Sequence, residues 1–417
     1  MNVLLRIGIA YNHSVVWFYD YGIPKCFAIE WGDFSPAERQ IPIKLGPHTI
    51  SIVSHTKHMA LMLTNNTKDC HDTYIKRISD MKSVVFAGSG LGSHLVPVVP
   101  SVMNKIYNSV AVSRALYGFE VVPINEWGLQ EMEKAQRMIA KYIQGLPNNC
   151  HNVTVLPTLG WLTIDSRIAI SKLVFLWGIL CLPIDSVYRR LLLHFLEAGL
   201  NDVNYFNATS PTCSRLLYVT RFNLVDTLRQ CMYSDNSPRY NYYKSLIKRV
   251  VTDMEFTRWT VTSLFFYELP LFNHCIKKIE LCVWWRFVKN VPSSFRQVSS
   301  VVSVVSGRQP KSLQCNFNSK TCSMCMDYAR DTAQHVLFEC SALIDIRHVY
   351  LSKLKFTMPL IMKNEFVNMD NRAKLYFILS GLECDFCTEW ICIYRAVALF
   401  IHEMYRRRKG IYSDSYI

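Results

Sequence analysis

From Asp69 onward, apolar residues recur every third or fourth position over long stretches broken by glycine and proline, a period that predicts helices. Residues 1–64 read differently. Their apolar runs are short (VVWFYDY, CFAIEW, QIPIKL, HTISIV and HMALML) and are divided by the turn formers Gly22-Ile23-Pro24, Gly32-Asp33 and Gly46-Pro47. A small sheet or sheet edge is expected there. Helices are expected through TYIKRISDMKSVVFAG and, beyond a loop around Pro97 and Pro100, through SVMNKIYNSVAVSRALYGFEVV. The clearest single element is EWGLQEMEKAQRMIAKYIQGLP, in which Leu129, Met132, Gln136, Ile139, Ile143 and Leu146 fall on one face. Glu131 and Glu133 come early and Arg137 and Lys141 late, matching the helix dipole, and Gly145 with Pro147 ends the run. A second block, LGWLTIDSRIAISKLVFLWGILCLP, sets Leu173, Leu176, Trp177 and Leu180 on a core stripe. The predicted fold class is mainly α with a small N-terminal β part.

Composition agrees with that reading. Glycine and proline are sparse at 16 each, and a hydrophobic content of 50% over 417 residues is ample for two or three packed domains. The longest apolar stretch, LVFLWGILCLPI, falls short of the ~20 residues that cross a bilayer, so it predicts a buried helix and no membrane partner. MNVLLRIGIAYNH has too short an apolar core for a signal peptide and no small-residue cleavage site. Fifteen cysteines, an odd number scattered through apolar runs such as GILCLP and IELCVWW, suit a reducing interior and predict an intracellular protein. The Asn-x-Ser/Thr triplets at Asn12, Asn65, Asn152 and Asn207 are then unused. Basic residues number 46 against 32 acidic, a formal charge of +14, which favours a polyanionic partner. Only 19% of the chain is charged, so the excess belongs to folded surfaces and not to a basic tail.

One motif narrows the chemistry. Cys322, Cys325, His335 and Cys340 are spaced Cys-x2-Cys-x9-His-x4-Cys, and a tetrahedral Zn²⁺ takes four such ligands. The two-residue gap lets one turn present two thiolates, and a helical HVLFEC segment turns His335 and Cys340 back toward it. Four protein ligands leave no position for water, so the predicted role is structural. Free cysteines are commonly buried hydrophobes, but the polar stretch KTCSMCMDYARDTAQH offers little core for a thiol. Cys384 and Cys387 form a second Cys-x2-Cys near Cys392 but lack a clear fourth ligand, and read as core or edge thiols. There is no Gly-x-Ser-x-Gly elbow, no P-loop and no His-Glu-x-x-His; His402-Glu403 begins the last without completing it.

Aromatic and basic residues interleave in DTLRQCMYSDNSPRYNYYKSLIKRV and CVWWRFVKNVPSSFR, a pattern that suits base stacking and phosphate contact. Trp284 and Trp285 equally suit buried anchors. The YRRRKG run at 405–410 fits a phosphate-contacting helix end, a nuclear address or a solvated terminus.

Five phrases occur in a telling order: HMALMLT (58–64), ALYGFE (115–120), KYIQGLP (141–147), LGWLTI (159–164) and ILCLP (179–183), ahead of the Cys-Cys-His-Cys knuckle. Together they resemble the C-terminal half of non-LTR (LINE-type) retrotransposon reverse transcriptases. The resemblance implies a palm remnant over 1–64, a thumb-like helical region over 65–200 and a helical connection over 201–312. A zinc knuckle over 313–352 and a helical tail over 353–417 complete it. YGIPKC resembles the family's last palm motif and implies that Lys25 lies near the incoming nucleotide; Ala60 stands where the family usually has glycine. Two-metal polymerases hold Mg²⁺ through at least two carboxylates, in this family an aromatic-x-Asp-Asp hairpin. The chain contains no Asp-Asp, and Tyr19-Asp20-Tyr21 offers one carboxylate only. By family order the hairpin would precede residue 1, so Mg²⁺ is expected only if a palm is supplied. The resemblance thus implies an RNA- and DNA-binding region that is catalytically incomplete by itself, gripping phosphates with Arg137, Lys141 and Arg347. The knuckle would add stacking through Tyr328 or Phe338. Two alternatives stay open: part of a complete RNA-directed DNA polymerase split by the gene assignment, and a zinc-containing helical scaffold for protein partners. Oligomeric state is not legible.

Overall fold

The computed structural model describes residues 26–28, 43–58, 61–64, 67–90, 98–122, 124–201, 211–233, 239–266, 269–308, 321–322, 324–325, 329–380 and 388–414. The protein is mainly helical with a small N-terminal strand part. Two compact units divide it, Met1–Ser79 and Asp80–Ile417.

Among its described residues the first unit holds six short strands: β1 (Phe27–Ala28), β2 (Lys44–Leu45), β3 (His48–Thr49), β4 (Ser51–Ile52), β5 (His55–His58) and β6 (Leu61–Thr64). They pair as three two-stranded sheets. β1 runs parallel to β4, β2 and β3 are antiparallel across the Gly46-Pro47 turn, and β5 and β6 form a hairpin in register from His55–Thr64 to His58–Leu61. The run VVWFYDY and the positions Asp20, Lys25 and Ala60 lie outside the described residues.

Helix α1 (Thr67–Gly90) begins in the first unit and ends in the second. The SVMNKIYNSVAVSRAL segment is helical throughout but not uniform: α2 (Pro100–Ile106) and α3 (Val112–Leu116) are joined by a π-turn at Tyr107–Ala111. Helix α4 (Glu126–Gln144) matches its sequence pattern closely. The Asn125 side chain caps it by accepting from Gly128 N at 2.7 Å, and Gly145 closes it in the left-handed region at φ 63°. Met132, Gln136, Ile139, Ile143 and Leu146 are buried as the periodicity predicts.

After the short α5 (Asn152–Val155) comes α6 (Ile164–Leu180), a deeply buried helix. Thr163 caps it, and Ile164, Ile168, Ala169, Leu173, Leu176, Trp177 and Leu180 are wholly inaccessible. No described helix is long and apolar enough to cross a membrane, and the LVFLWGILCLPI stretch instead meets other helices on several sides. These are α7 (Val187–Asn201), α8 (Pro211–Arg221), α9 (Val225–Met232) and α10 (Tyr240–Leu264), which close one core with α6. Asp165, in the first turn of α6, pins α8 by accepting from Tyr218 at 2.9 Å and Arg221 at 2.5 Å.

A second packing centre forms from α11 (Pro270–Cys275), α12 (Val283–Asn290), α13 (Phe295–Val305), α14 (Ile344–Thr357), α15 (Leu360–Asn368), α16 (Asn371–Ser380) and α17 (Thr388–Asp414). Trp284 and Trp285 are its anchors: both are buried, with indole N–H groups donating to Leu379 O at 2.9 Å and Gln144 Oε1 at 2.8 Å. Of the two sequence readings for these rings, packing is the one realised. Gln144, fully inaccessible, also accepts from the Thr158 hydroxyl at 2.7 Å and donates to Val155 O at 2.9 Å, so one amide joins α4, α5 and α12. Beside it, Leu159 bridges Leu281, and Gly160 at φ 68° passes so close that a Cβ would sit 2.4 Å from the Glu280 carbonyl carbon. Only glycine fits that crossing.

Gln144→Leu leaves the Trp285 indole N–H buried without its acceptor, while the Thr158 hydroxyl keeps Thr154 O and Val155 O within reach. A loss of about 1–3 kcal/mol follows from one unsatisfied buried donor, measured as a lower urea midpoint; a wild-type midpoint would mean the amide is not the joint described.

Candidate metal centre

The four sequence-predicted ligands converge. Their ligand atoms lie within 4.8 Å of one another, and among the described residues no other group of three or more His, Cys, Asp or Glu side chains could hold an ion. Cys322 Sγ and Cys340 Sγ are 3.9 Å apart, and Cys325 Sγ is 3.3 Å from His335 Nε2. A tetrahedron built on Zn–S bonds of about 2.3 Å and Zn–N bonds of about 2.0 Å has edges of roughly 3.8 and 3.5 Å, so the donors already stand near coordination distance. All four residues are buried, with Cys340 wholly so.

Local structure explains the spacing. Cys322 N donates to Ala329 O at 2.8 Å and Thr321 bridges Arg330, so the chain around the two leading cysteines folds back on itself. His335–Glu339 is a π-turn, whose wide ring is closed by Cys340 N donating to His335 O at 2.7 Å. An x4 gap is one such turn, which returns Cys340 to the side that His335 faces. Thr332 caps the segment through its hydroxyl, which accepts from His335 N at 3.1 Å. From α14, Arg347 donates to Leu337 O at 3.0 Å and Cys340 O at 2.5 Å, locking the turn from outside. The far side is held by Arg408 of α17, which pairs with Asp331 at 2.6 Å.

With Nε2 turned inward, His335 directs Nδ1 toward the Glu339 carboxylate, 3.9 Å away. A carboxylate behind a ligand histidine favours the tautomer that frees Nε2 for metal. Burial, reinforced by neighbouring Cys322, pushes the Cys340 thiol up to about 12, so a thiolate here requires a cation to replace its proton. Thiols elsewhere are different. Cys150, Cys231 and Cys282 are buried away from the quartet, and burial raises their pKa too, as expected for packing cysteines. The donor set therefore fits a soft or borderline metal ion such as Zn²⁺, held by the protein on all four corners.

The other sequence-predicted residues are dispersed. Arg137 is partly exposed on α4 and pairs with Glu133 at 3.3 Å, while Lys141 donates to Asn148 O at 2.7 Å and burial draws its ammonium below the ordinary lysine range. Arg347 is not on a phosphate-facing surface: it is buried, with its guanidinium committed to knuckle carbonyls. Phe338 also turns inward, toward the Phe400 ring at 6.0 Å, and Arg408 of the YRRRKG run is buried in its ion pair. Lys25, Tyr328, Cys384 and Cys387 lie outside the described residues. Glu339, Asp331 and Arg408 escaped the sequence reading. Glu339 had a signal, its position four residues after a ligand histidine, whereas the Asp331–Arg408 pair spans 77 residues and had none.

Compared with known proteins, the chain matches no protein-family model, no curated protein and no solved structure.

The purified protein is expected to carry about one zinc per chain, measured by elemental analysis, and Cys325→Ser to lose most of it. Because ligand thiols must shed protons, zinc is retained less well as pH falls. Undiminished metal in Cys325→Ser, or retention that rises with acidity, would be incompatible with this centre.

Proposed function

We propose that the chain is a nucleic-acid-gripping region of the kind found in the C-terminal half of non-LTR retrotransposon reverse transcriptases. In this reading 1–64 is a palm remnant, 65–200 a thumb, 201–312 a connection, 313–352 a zinc knuckle and 353–417 a helical tail. The observation that carries the proposal is the closed Cys3His cluster at the end of a strongly basic helical chain. Four protein donors leave no open position for hydrolytic chemistry, so the metal's office is to hold the backbone in shape. The charge excess of +14 then supplies affinity, through phosphates and without a sequence code.

On α4, the partly exposed Arg137 and Lys141, with the exposed Lys134 one turn before Met138, form the basic edge that meets the polyanion. Arg347 serves at one remove, by locking the turn that carries Cys340. RNA and DNA share the phosphate chemistry that such an edge recognises. Polymerisation would require carboxylates for Mg²⁺ beyond those of this sequence, which has no Asp-Asp.

Titration of single-stranded RNA over a salt series tests the proposal. Affinity should fall linearly on logarithmic axes, with a slope of about −0.7 per phosphate contact, and the Lys134→Ala/Arg137→Ala/Lys141→Ala chain should flatten that slope by roughly two contacts or fewer. Arg347→Ala should act instead through zinc retention. Wild-type protein without salt-dependent RNA affinity would overturn the reading and favour a protein-binding scaffold.

A further inference from the structure

We propose that the turn between α14 and α15 is a membrane-contact tip, which inserts its apolar side chains into an anionic lipid surface. Phe356, Leu360 and Ile361 are exposed at 89%, 72% and 76%. Side chains this bare touch little of their own chain, so they project from the surface. The turn beneath them is anchored: Met358 is buried, Pro359 caps α15, and the buried Phe366 of α15 meets Phe377 of α16 at 5.8 Å. The apolar surface continues along both helices through the exposed Val349 and Val367. On α14, Val349 and Phe356 are seven residues apart and so about 20° from one line, on the side away from the buried Arg347 and Leu354. On α15, Leu360, Ile361 and Val367 fall within an arc of about 120° that is turned away from Phe366. An exposed apolar surface of this kind marks an interaction site.

Charge and side-chain type identify the occupant. From Ile346 to Asn364 the chain has no Asp or Glu, whereas Lys353 and Lys355 precede the tip and Lys363 follows it. None of these three lysines forms an ion pair among the described residues. Apolar side chains ringed by ammonium groups match the two layers of an anionic membrane surface, phosphate outside and hydrocarbon beneath. Nucleic acid offers the phosphates without the hydrocarbon. Its base steps admit single apolar wedges, but Val349, Leu360, Ile361 and Val367 make this surface mainly aliphatic and broader than one wedge. The contact lies at the surface and does not span, since no described helix is long and apolar enough to cross a bilayer. It rests on neither the nucleic-acid reading nor the zinc centre.

Co-sedimentation of the zinc-replete chain, free of nucleic acid, with phosphatidylcholine vesicles that contain or lack phosphatidylserine tests this. Wild-type protein should pellet with the anionic vesicles and far less with the neutral ones. Phe356→Ser/Leu360→Ser/Ile361→Ser keeps every charge and should partition about a hundredfold less, as expected from three apolar side chains that no longer leave water. Its helical circular dichroism and zinc content should be unchanged, because Phe356 lies nine residues, about 14 Å along α14, beyond Arg347. Lys353→Gln/Lys363→Gln should bring binding to anionic vesicles down toward that to neutral ones. A wild-type chain that stays in the supernatant, equal binding to both vesicles, or full binding by the triple Ser variant, which would leave net charge as the whole cause, would each overturn the proposal.

Discussion

Three buried thiols and an imidazole gathered within 4.8 Å form an arrangement that apolar packing alone does not create. Thiols pack well singly, as Cys150 does, because a lone sulfur behaves as a small hydrophobe. Placed together as metal ligands they must become anions, and anions in a buried site repel unless a cation stands among them. The surrounding backbone is built to that requirement. A π-turn sets the wide His335–Cys340 spacing, Arg347 donates hydrogen bonds to the carbonyls of the turn, and Asp331–Arg408 ties the leading cysteines' neighbourhood to α17. A cation bound among the four donors would give this closure its electrostatic reason.

The remainder of the second unit is held by different means. Gln144 satisfies donors and acceptors of α5, α12 and the Thr158 loop through one amide, in a place where every partner is shielded from water. Such a network is demanding, since each member left unpaired costs more than its hydrogen bond contributes. It explains why the crossing at Gly160 admits no side chain: the backbones at 158–161 and 280–282 must approach closely for Trp285 to reach Gln144. Packing of α6 then secures the helices around it, with Asp165 and Ser166 adding polar ties to α8 and α10.

Local features were legible in the sequence. The face of α4, its Gly145 terminator and the buried stripe of α6 follow from periodicity and capping chemistry, which act within one or two turns. The ligand quartet was legible too, because its spacing reflects a turn geometry. What escaped depends on partners far along the chain. Nothing local in CVWWRF tells that Trp285 reaches back 141 residues to Gln144. Arg347 illustrates the same limit: a basic residue beside a knuckle suggests phosphate, but its guanidinium finds two carbonyls of the turn seven and ten residues earlier. The exposed apolar faces of α14 and α15 were hidden for another reason, since apolar residues on both faces of a helix blur the amphipathic pattern that separates surface from core.

X-ray absorption at the zinc edge, on the purified chain, addresses the closed Cys3His centre most directly. Three sulfur scatterers at about 2.3 Å and one nitrogen at about 2.0 Å are predicted, with no oxygen in the first shell. A first shell with two or fewer sulfurs, or with a water oxygen, would contradict it.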